Sequence, residues 1–183
     1  MTPAASVGGD ERLRLFLALR VPDGVLDEIV DWQRAALSGV RVVPREHLHV
    51  TLAFLGHRPA GELEAIGDAL RDAAARAYEI RLTPTRYRET RSVGMLVLDD
   101  AGGGAARLAG DLQEQLERLG VYRRENRAWL PHLTVARWRE RPRLRPEVPP
   151  VGTFVPSDAA AYLSRLHPGG ARYEVLESVA LGG

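Results

Sequence analysis

The sequence predicts an α+β protein in which helices pack outside antiparallel β-structure. Short segments that alternate apolar and polar residues are typical of half-buried strands, and longer segments with apolar residues three and four apart are typical of helices. The connections between these segments are short, which favours antiparallel pairing. The chain has 183 residues, which is enough to bury a core of its own as one domain.

The first half of the chain alternates strand and helix signals. Residues 12–20, RLRLFLALR, alternate as a strand does, and Pro22 with Asp23 begins a helix. Gly56 ends the second long apolar stretch and indicates a turn. In chain order we expect a strand at 12–20, a helix from Asp23 to about Ala36, a short strand at 40–43, a strand at 47–55, a turn at 56–59 and a helix at 61–77.

The same alternation continues through the second half. Gly120 ends a helix, and Pro168-Gly169-Gly170 marks a turn between the last two strands. Residues 142–150 are rich in proline and predict a loop. In chain order we expect strands at 78–88 and 94–98, a helix at 105–119, a strand at 131–138 and a closing pair of strands at 159–166 and 171–179.

Composition limits the chemistry that this chain can perform. It has no cysteine and no lysine, and all 25 of its cationic side chains are arginine. Thiolate nucleophiles, cysteine zinc sites, Schiff bases and lysyl-nucleotide intermediates are therefore excluded. No apolar run approaches the ~20 residues that a membrane helix needs, and the first ten residues lack the pattern of a signal peptide. We therefore expect a cytoplasmic protein with a flexible tail at residues 1–11.

Arginine is concentrated in one region of a chain whose formal net charge is only +1. Residues 123–145 contain eight arginines and two tryptophans, Trp129 and Trp138. One interpretation is a solvated surface in a protein that never uses lysine. The other is a rim that faces phosphate, with the tryptophans available for stacking.

A short repeat carries the strongest functional signal. The segment His-Val-Thr-Leu-Ala at 49–53 is matched by His-Leu-Thr-Val-Ala at 132–136, 83 residues later. Side chains on a strand alternate between its two faces, so the histidine, threonine and alanine of each copy share one face. The other face is expected to be core, and in the first copy its residues are Leu48, Val50, Leu52 and Phe54.

Two such strands facing a cleft would combine two imidazoles with two hydroxyls. Imidazoles titrate near neutral pH, so one can act as a general base while the other acts as a general acid. Threonine hydroxyls and arginine donors can hold an anionic group between them. An acid, a base and an anion clamp, without a side-chain nucleophile, suit in-line attack on a phosphodiester.

The repeat and its flanking segments resemble a known family. The sequence is similar to RNA 2′,3′-cyclic phosphodiesterases, also called 2′-5′ RNA ligases, a branch of the 2H phosphoesterase superfamily. Four stretches carry the likeness, in the expected order and across most of residues 12–181: RLRLFLALRVPDGV, VPREHLHVTLAFLG, WLPHLTVARW and AYLSRLHPGGARYEVLESVAL. Residues 87–100, YRETRSVGMLVLDD, depart from the family's usual mid-chain pattern, so the resemblance does not say which groups line the substrate side there.

The resemblance implies a fold, an activity and roles for the repeated residues. The fold would be a bilobal domain at 12–183, with two antiparallel sheets lining a central cleft and helices outside. The activity would be metal-independent and cofactor-free opening of an RNA 2′,3′-cyclic phosphate to a 2′-phosphomonoester, with 2′-5′ ligation as its reverse. His49 would be the proton donor and His132 the proton acceptor, while Thr51 and Thr134 would bind phosphate oxygens.

Other residues near the motifs are weaker candidates for contact with substrate. Arg137, which adjoins the second motif, could meet phosphate or belong to the solvated basic loop. Phe16 could reach the cleft and stack a base, although a core position is expected for it. Tyr162 is a further possible substrate-binding residue. His47 is expected to pack where the strand begins, and His57 and His167 are expected at the surface. We expect a monomer that acts on RNA or oligonucleotide ends, with no membrane and no obligate protein partner.

Two alternatives remain open from the sequence. His47, His49 and His132 could be three zinc ligands, because histidines two apart on a strand plus a distant third can form an open metal site. That interpretation leaves both threonines unexplained. The chain could also be a non-catalytic nucleotide- or RNA-binding module that keeps the cleft as a phosphate cradle, although binding alone does not require an acid and a base.

Overall fold

The computed structural model describes residues 11–182 and confirms the expected α+β architecture. Its helices are α1 (Asp23–Ala36), α2 (Leu63–Ala75) and α3 (Gly104–Arg118). Its strands are β1 (Arg12–Arg20), β2 (Arg41–Val42), β3 (His49–Pro59), β4 (Arg81–Glu89), β5 (Val93–Ala101), β6 (His132–Arg137), β7 (Ala159–His167) and β8 (Gly170–Val179). Every strand and helix predicted from the sequence is present, and most of the observed bounds lie within a few residues of the predicted ones.

Within the described residues the strands form one antiparallel sheet, not the two sheets that the resemblance implied. Its order is β4-β5-β6-β3-β1-β7-β8, and β2 pairs with the end of β6. The two halves of the sheet meet between β3 and β6, where Val50 and Leu133 are the paired residues. This narrow junction lies between the two copies of the repeat.

All three helices lie on one face of the sheet and complete the main hydrophobic core. β1 shows the division between faces: Leu15 and Leu17 pack into that core, whereas Phe16 belongs to a separate small cluster on the opposite face. Buried polar side chains tie the helices to the strands. The Gln33 amide of α1 donates to the carbonyls of Val43 and Val135, at 3.0 and 2.8 Å. Within residues 11–182 no helix covers the opposite face of the sheet.

The turn predicted at residues 56–59 is instead a continuation of β3. Gly56 has a φ of 67°, a left-handed conformation that glycine adopts without steric cost. The pairing with β1 shifts here, because Leu15 pairs with Gly56 and Phe16 with Phe54, which leaves Leu55 as an extra residue. Gly56 therefore lies at a β-bulge within a strand and does not end it.

A second register shift changes which side chains of β3 face the core: Leu17 of β1 pairs with Ala53 and Ala18 with Thr51, which leaves Leu52 as an extra residue. Phe54, expected in the core, is 49% exposed, and Ala53, expected beside His49 and Thr51, is 2% exposed within the main core. Strict alternation therefore holds from His49 to Leu52 and changes phase at this second bulge.

The amino-terminal boundary differs slightly from the prediction. Residues 1–10 of the predicted tail lie outside the described residues. The carbonyl of Glu11 accepts a hydrogen bond of 2.8 Å from the backbone N–H of Ala60, so this residue belongs to the fold. None of the helices within residues 11–182 is long and apolar enough to cross a membrane.

Candidate active site

The helix-free face of the sheet contains a cleft of about 440 Å³ that brings both copies of the repeat together. Because Val50 pairs with Leu133, the residues that flank this pair on β3 and β6 are the two histidines and the two threonines. All four line the cleft, as does Arg137, and they are His49, Thr51, His132 and Thr134. The structure thus assembles the four principal residues that the sequence singled out.

His49 is held between a hydroxyl and an aromatic ring. Its Nε2 lies 3.1 Å from the Oγ1 of Thr51, and its ring stacks on Phe16 with 4.8 Å between centroids. Phe16 in turn stacks on Tyr162, again at 4.8 Å, with the ring planes only 5° apart. Tyr173 packs edge-on against Phe16 and completes this aromatic cluster. The cluster fixes the orientation of the His49 imidazole.

Burial lowers the pKa of His49 to about 4. A hydrogen bond with the backbone of His47 opposes this effect, and positive charge on His47, His132 and Arg137 adds to it. Burial disfavours the charged form of an imidazole because the interior solvates an ion poorly. In the free protein His49 is therefore neutral at neutral pH.

His132 has a different environment, which fixes its tautomer. Its Nδ1 lies 2.8 Å from the carbonyl oxygen of Leu130. A carbonyl can only accept a hydrogen bond, so Nδ1 carries the proton. In the neutral ring Nε2 is then unprotonated and free to accept a proton.

Three arginines line the cleft, of which the sequence analysis identified only Arg137. Arg14 reaches it from β1, donates to the Oγ of Ser164 at 2.8 Å and lies over the ring of Phe54 at 4.8 Å. Arg41 of β2 is paired directly with Arg137 of β6. Within residues 11–182 none of the three has a carboxylate within ion-pair distance. Like charges placed opposite each other destabilise a sheet, so an anion between them would be stabilising.

The weaker predictions have mixed outcomes. Phe16 lines the cleft but is only 3% exposed beneath His49. Tyr162 is 8% exposed behind Phe16 and is not among the residues that line the cleft, so it cannot stack on a base there. His57 is exposed as expected, although it lies in a strand and not in a turn.

His47 packs where β3 begins, as expected, although it lies just before the strand and not within it. It lies in a single 3₁₀ turn, Arg45–His47, before β3 begins. Its ring packs on Tyr173 with 4.2 Å between centroids, and it lines the cleft. Among the described residues no three histidine or carboxylate side chains are placed to hold a metal ion. The zinc-site alternative built on His47, His49 and His132 is therefore wrong in its geometry.

The arginine-rich segment 123–145 is mostly not a cleft rim. Of its eight arginines only Arg137 lines the cleft, and others form ion pairs with Glu89, Glu117 and Glu125. Both tryptophans are structural. The indole N–H of Trp129 donates to the carbonyl of Thr51 at 3.0 Å, and that of Trp138 donates to the carbonyl of Arg91 at 3.1 Å.

Several cleft residues were missed from the sequence, and one signal could have found some of them. Arg14 precedes Phe16 by two residues on β1, so strand alternation alone places both on one face. Phe54 could not be found in this way because the bulge at Leu52 reverses the alternation of β3 before it. Arg41 and Tyr173 line the cleft through pairing between strands that are distant in sequence.

Solved structures share this fold over nearly the whole chain. TT0787 of Thermus thermophilus matches with a TM-score of 0.79 at 30% identity, covering 93% of this chain and 99% of that one. Escherichia coli LigT complexed with 3′-AMP matches with a TM-score of 0.77 at 26% identity, covering 94% and 100%. The fold and the paired motifs define a 2H phosphoesterase.

The family follows from the sequence comparison. The chain belongs to the 2′-5′ RNA ligase superfamily, whose family model matches residues 21–167. A Thermus thermophilus protein named RNA 2′,3′-cyclic phosphodiesterase is 35% identical over 185 residues, which covers 93% of this chain and 91% of that protein. The Escherichia coli protein of the same name is 27% identical over 176 residues, covering 93% and 98%. The resemblance noted in the sequence is confirmed.

Proposed function

We propose that this protein is an RNA 2′,3′-cyclic phosphodiesterase that uses His49 and His132 as an acid–base pair without a metal. The observation that carries the proposal is the convergence of two His-x-Thr pairs on one cleft, beside arginines that have no carboxylate at ion-pair distance within residues 11–182. The relatives named RNA 2′,3′-cyclic phosphodiesterase support the same reaction.

In this mechanism His132 is the proton acceptor. Its Nδ1–H is committed to the Leu130 carbonyl, which leaves Nε2 to take a proton from the attacking water. The oxygen of that water bonds to phosphorus as the bond between phosphorus and O3′ breaks. The product keeps the phosphate on O2′.

His49 is then the proton donor to the departing O3′. This role requires a protonated imidazole, whereas the pKa of about 4 keeps the ring neutral in the free protein. A bound phosphate places a negative charge beside the ring and so favours its protonated form. We therefore propose that His49 takes up a proton as substrate binds. Each turnover leaves His132 protonated and His49 neutral, and exchange with solvent restores the starting state.

Thr51, Thr134 and the cleft arginines would hold the non-bridging phosphate oxygens. Guanidinium groups bind phosphate with paired N–H donors, and hydroxyl groups add single donors. Phe16 supports His49 from behind, so base stacking falls to Phe54, which is 49% exposed at the cleft with Arg14 over its ring. The same groups would catalyse 2′-5′ ligation in reverse, with a 5′-hydroxyl in place of water.

The test uses a short RNA that ends in a 2′,3′-cyclic phosphate, incubated in excess chelator. Wild type should form a 2′-phosphate, and His49→Ala and His132→Ala should each lose on the order of 10²- to 10⁴-fold in rate. His57→Ala is the matched control, because His57 is an exposed histidine on the same strand as His49. It should retain wild-type activity.

The alternative of a non-catalytic module predicts a different pattern. Folded wild type would then bind the RNA tightly without turning it over. Activity that survives both histidine substitutions would refute the acid–base pair, and activity that chelator abolishes would refute its metal independence.

A further inference from the structure

Two arginines of the edge strand β4 share the face of the sheet that carries the catalytic motif. Arg86 pairs with Val97 of β5, which pairs in turn with His132 of β6. Two residues further along β4, Arg88 pairs with Met95 of β5, which pairs with Thr134 of β6. Directly opposed residues of an antiparallel sheet point to the same face. Both arginines therefore belong to the face of the cleft, two strands from its centre.

The alternation along β4 agrees with this assignment. Tyr87, between the two arginines, points to the other face and packs against the main core, where its ring lies 6.2 Å from that of Trp32. Arg86 and Arg88 are exposed. Adjacent strands are about 4.8 Å apart, so their backbones lie roughly 10 Å from those of His132 and Thr134.

The surface between these arginines and the motif suits an anionic polymer. Met95 and Val97, which lie between these arginines and the motif on the cleft face, are apolar, belong to neither hydrophobic cluster and are only 8% and 5% exposed. Within residues 11–182, neither Arg86 nor Arg88 has a carboxylate at ion-pair distance, whereas Arg81 on the same strand pairs with Glu79. Asp99 lies beyond Val97 on this face and bounds the basic surface at that end.

The chemistry of the substrate indicates which of its phosphates could reach this surface. An RNA that ends in a 2′,3′-cyclic phosphate can continue only toward its 5′ end, so its remaining phosphates must leave the cleft along some path. A guanidinium binds a phosphate through paired donors, and its aliphatic stem can lie along apolar surface. Arg86 and Arg88 supply two such groups at the sheet edge.

We propose that Arg86 and Arg88 bind backbone phosphates 5′ to the reacting end, so that the enzyme prefers an oligonucleotide to a mononucleoside cyclic phosphate. This inference rests on the proposed function, because it takes the reacting phosphate to lie between His49 and His132. It assigns a substrate-binding role to Arg86, next to the segment where the sequence departs from the family pattern, and to Arg88, within that segment.

The experiment compares a hexanucleotide ending in a 2′,3′-cyclic phosphate with the corresponding mononucleoside 2′,3′-cyclic phosphate. In the double variant Arg86→Gln/Arg88→Gln, the ratio of kcat/KM for the hexanucleotide to that for the mononucleotide should fall about tenfold, as expected for two exposed charge contacts. The slope of log kcat/KM for the hexanucleotide against log salt should become shallower by about 1.4, since two phosphate contacts are lost.

The matched control is Arg107→Gln/Arg118→Gln, which removes the same charge from exposed positions on α3, on the opposite face of the sheet. Its ratio should stay at the wild-type value. An unchanged ratio in the β4 variant, or an equal fall in the control, would overturn the inference.

A binding measurement separates failure of this inference from failure of the proposed function. Fluorescence anisotropy with a hexanucleotide that ends in a 3′-phosphate needs no turnover. If wild type hydrolyses neither substrate, the proposed function fails, and a weakened Kd confined to the β4 variant would still support the binding surface. Equal Kd values for wild type and the β4 variant would refute it.

Discussion

The low pKa of His49 should make the stability of the fold depend on pH in a specific way. The pKa is about 4 in the native protein, against an ordinary value of 6.5 for the unfolded chain. Between these values the unfolded state binds a proton that the native state does not, so stability falls as the pH falls from 6.5 to 4. Each pH unit across this window corresponds to about 1.4 kcal/mol, so the full contribution is at most about 3 to 4 kcal/mol.

Removing the imidazole isolates this contribution from the other groups that titrate in acid. The free energy of unfolding in urea would be measured for wild type and His49→Gln at pH 7 and at pH 4.5. Wild type should lose about 2 to 3 kcal/mol more than the variant over that interval. Above pH 6.5 the difference between the two proteins should no longer change with pH.

The imidazole can also be observed directly by NMR. The ring-proton shift of His49 should titrate near pH 4 in the free protein, and its midpoint should move upward when inorganic phosphate occupies the cleft. A midpoint near 6.5 in the free protein, together with equal acid losses in wild type and variant, would refute the reasoning. A midpoint that phosphate does not raise would remove the proposed route by which His49 becomes a proton donor.

Three further predictions concern other parts of the molecule. The side chain of Glu89 is 2% exposed and accepts hydrogen bonds from Arg141 and from the backbone N–H groups of residues 143 and 144. Glu89→Ala should therefore lower the free energy of unfolding, measured in urea, by about 2 to 3 kcal/mol. A loss below about 0.5 kcal/mol would contradict this anchoring role. Gly56→Ala should lower the free energy of unfolding by about 1 kcal/mol, because alanine is strained at a φ of 67°. The control Gly110→Ala in α3 should leave the free energy of unfolding unchanged or raise it, and equal effects of the two substitutions would contradict the bulge assignment. Arg41→Gln should stabilise the fold by a few tenths of a kcal/mol, because it removes the repulsion between Arg41 and Arg137. The same substitution should lower kcat/KM about tenfold. A loss of both stability and activity would argue for a structural role.

Local patterns in the sequence were sufficient to predict most of the fold. Alternation and helical spacing predicted all the strands and helices because each pattern arises within one element. The turn at Gly56 was predicted wrongly because glycine serves both turns and bulges, and only the pairing with β1 distinguishes them. The number of sheets could not be predicted for a similar reason, since a single residue pair between β3 and β6 joins the two halves.

At the candidate site, too, local sequence patterns predict only part of the arrangement. The repeat predicted which side chains converge, but two copies of almost the same sequence cannot distinguish an acid from a base. The structure places them in unlike surroundings: His49 is half-buried and stacks on Phe16, whereas the Nδ1 of His132 donates to the Leu130 carbonyl. In the proposed mechanism, burial makes the charge on His49 depend on a bound anion, and the fixed tautomer lets His132 accept a proton. The proposed acid and base roles therefore depend on Phe16 and on the Leu130 carbonyl, neighbours that lie outside the repeat. Changing these neighbours should alter the two roles more than exchanging the apolar residues of one motif for those of the other.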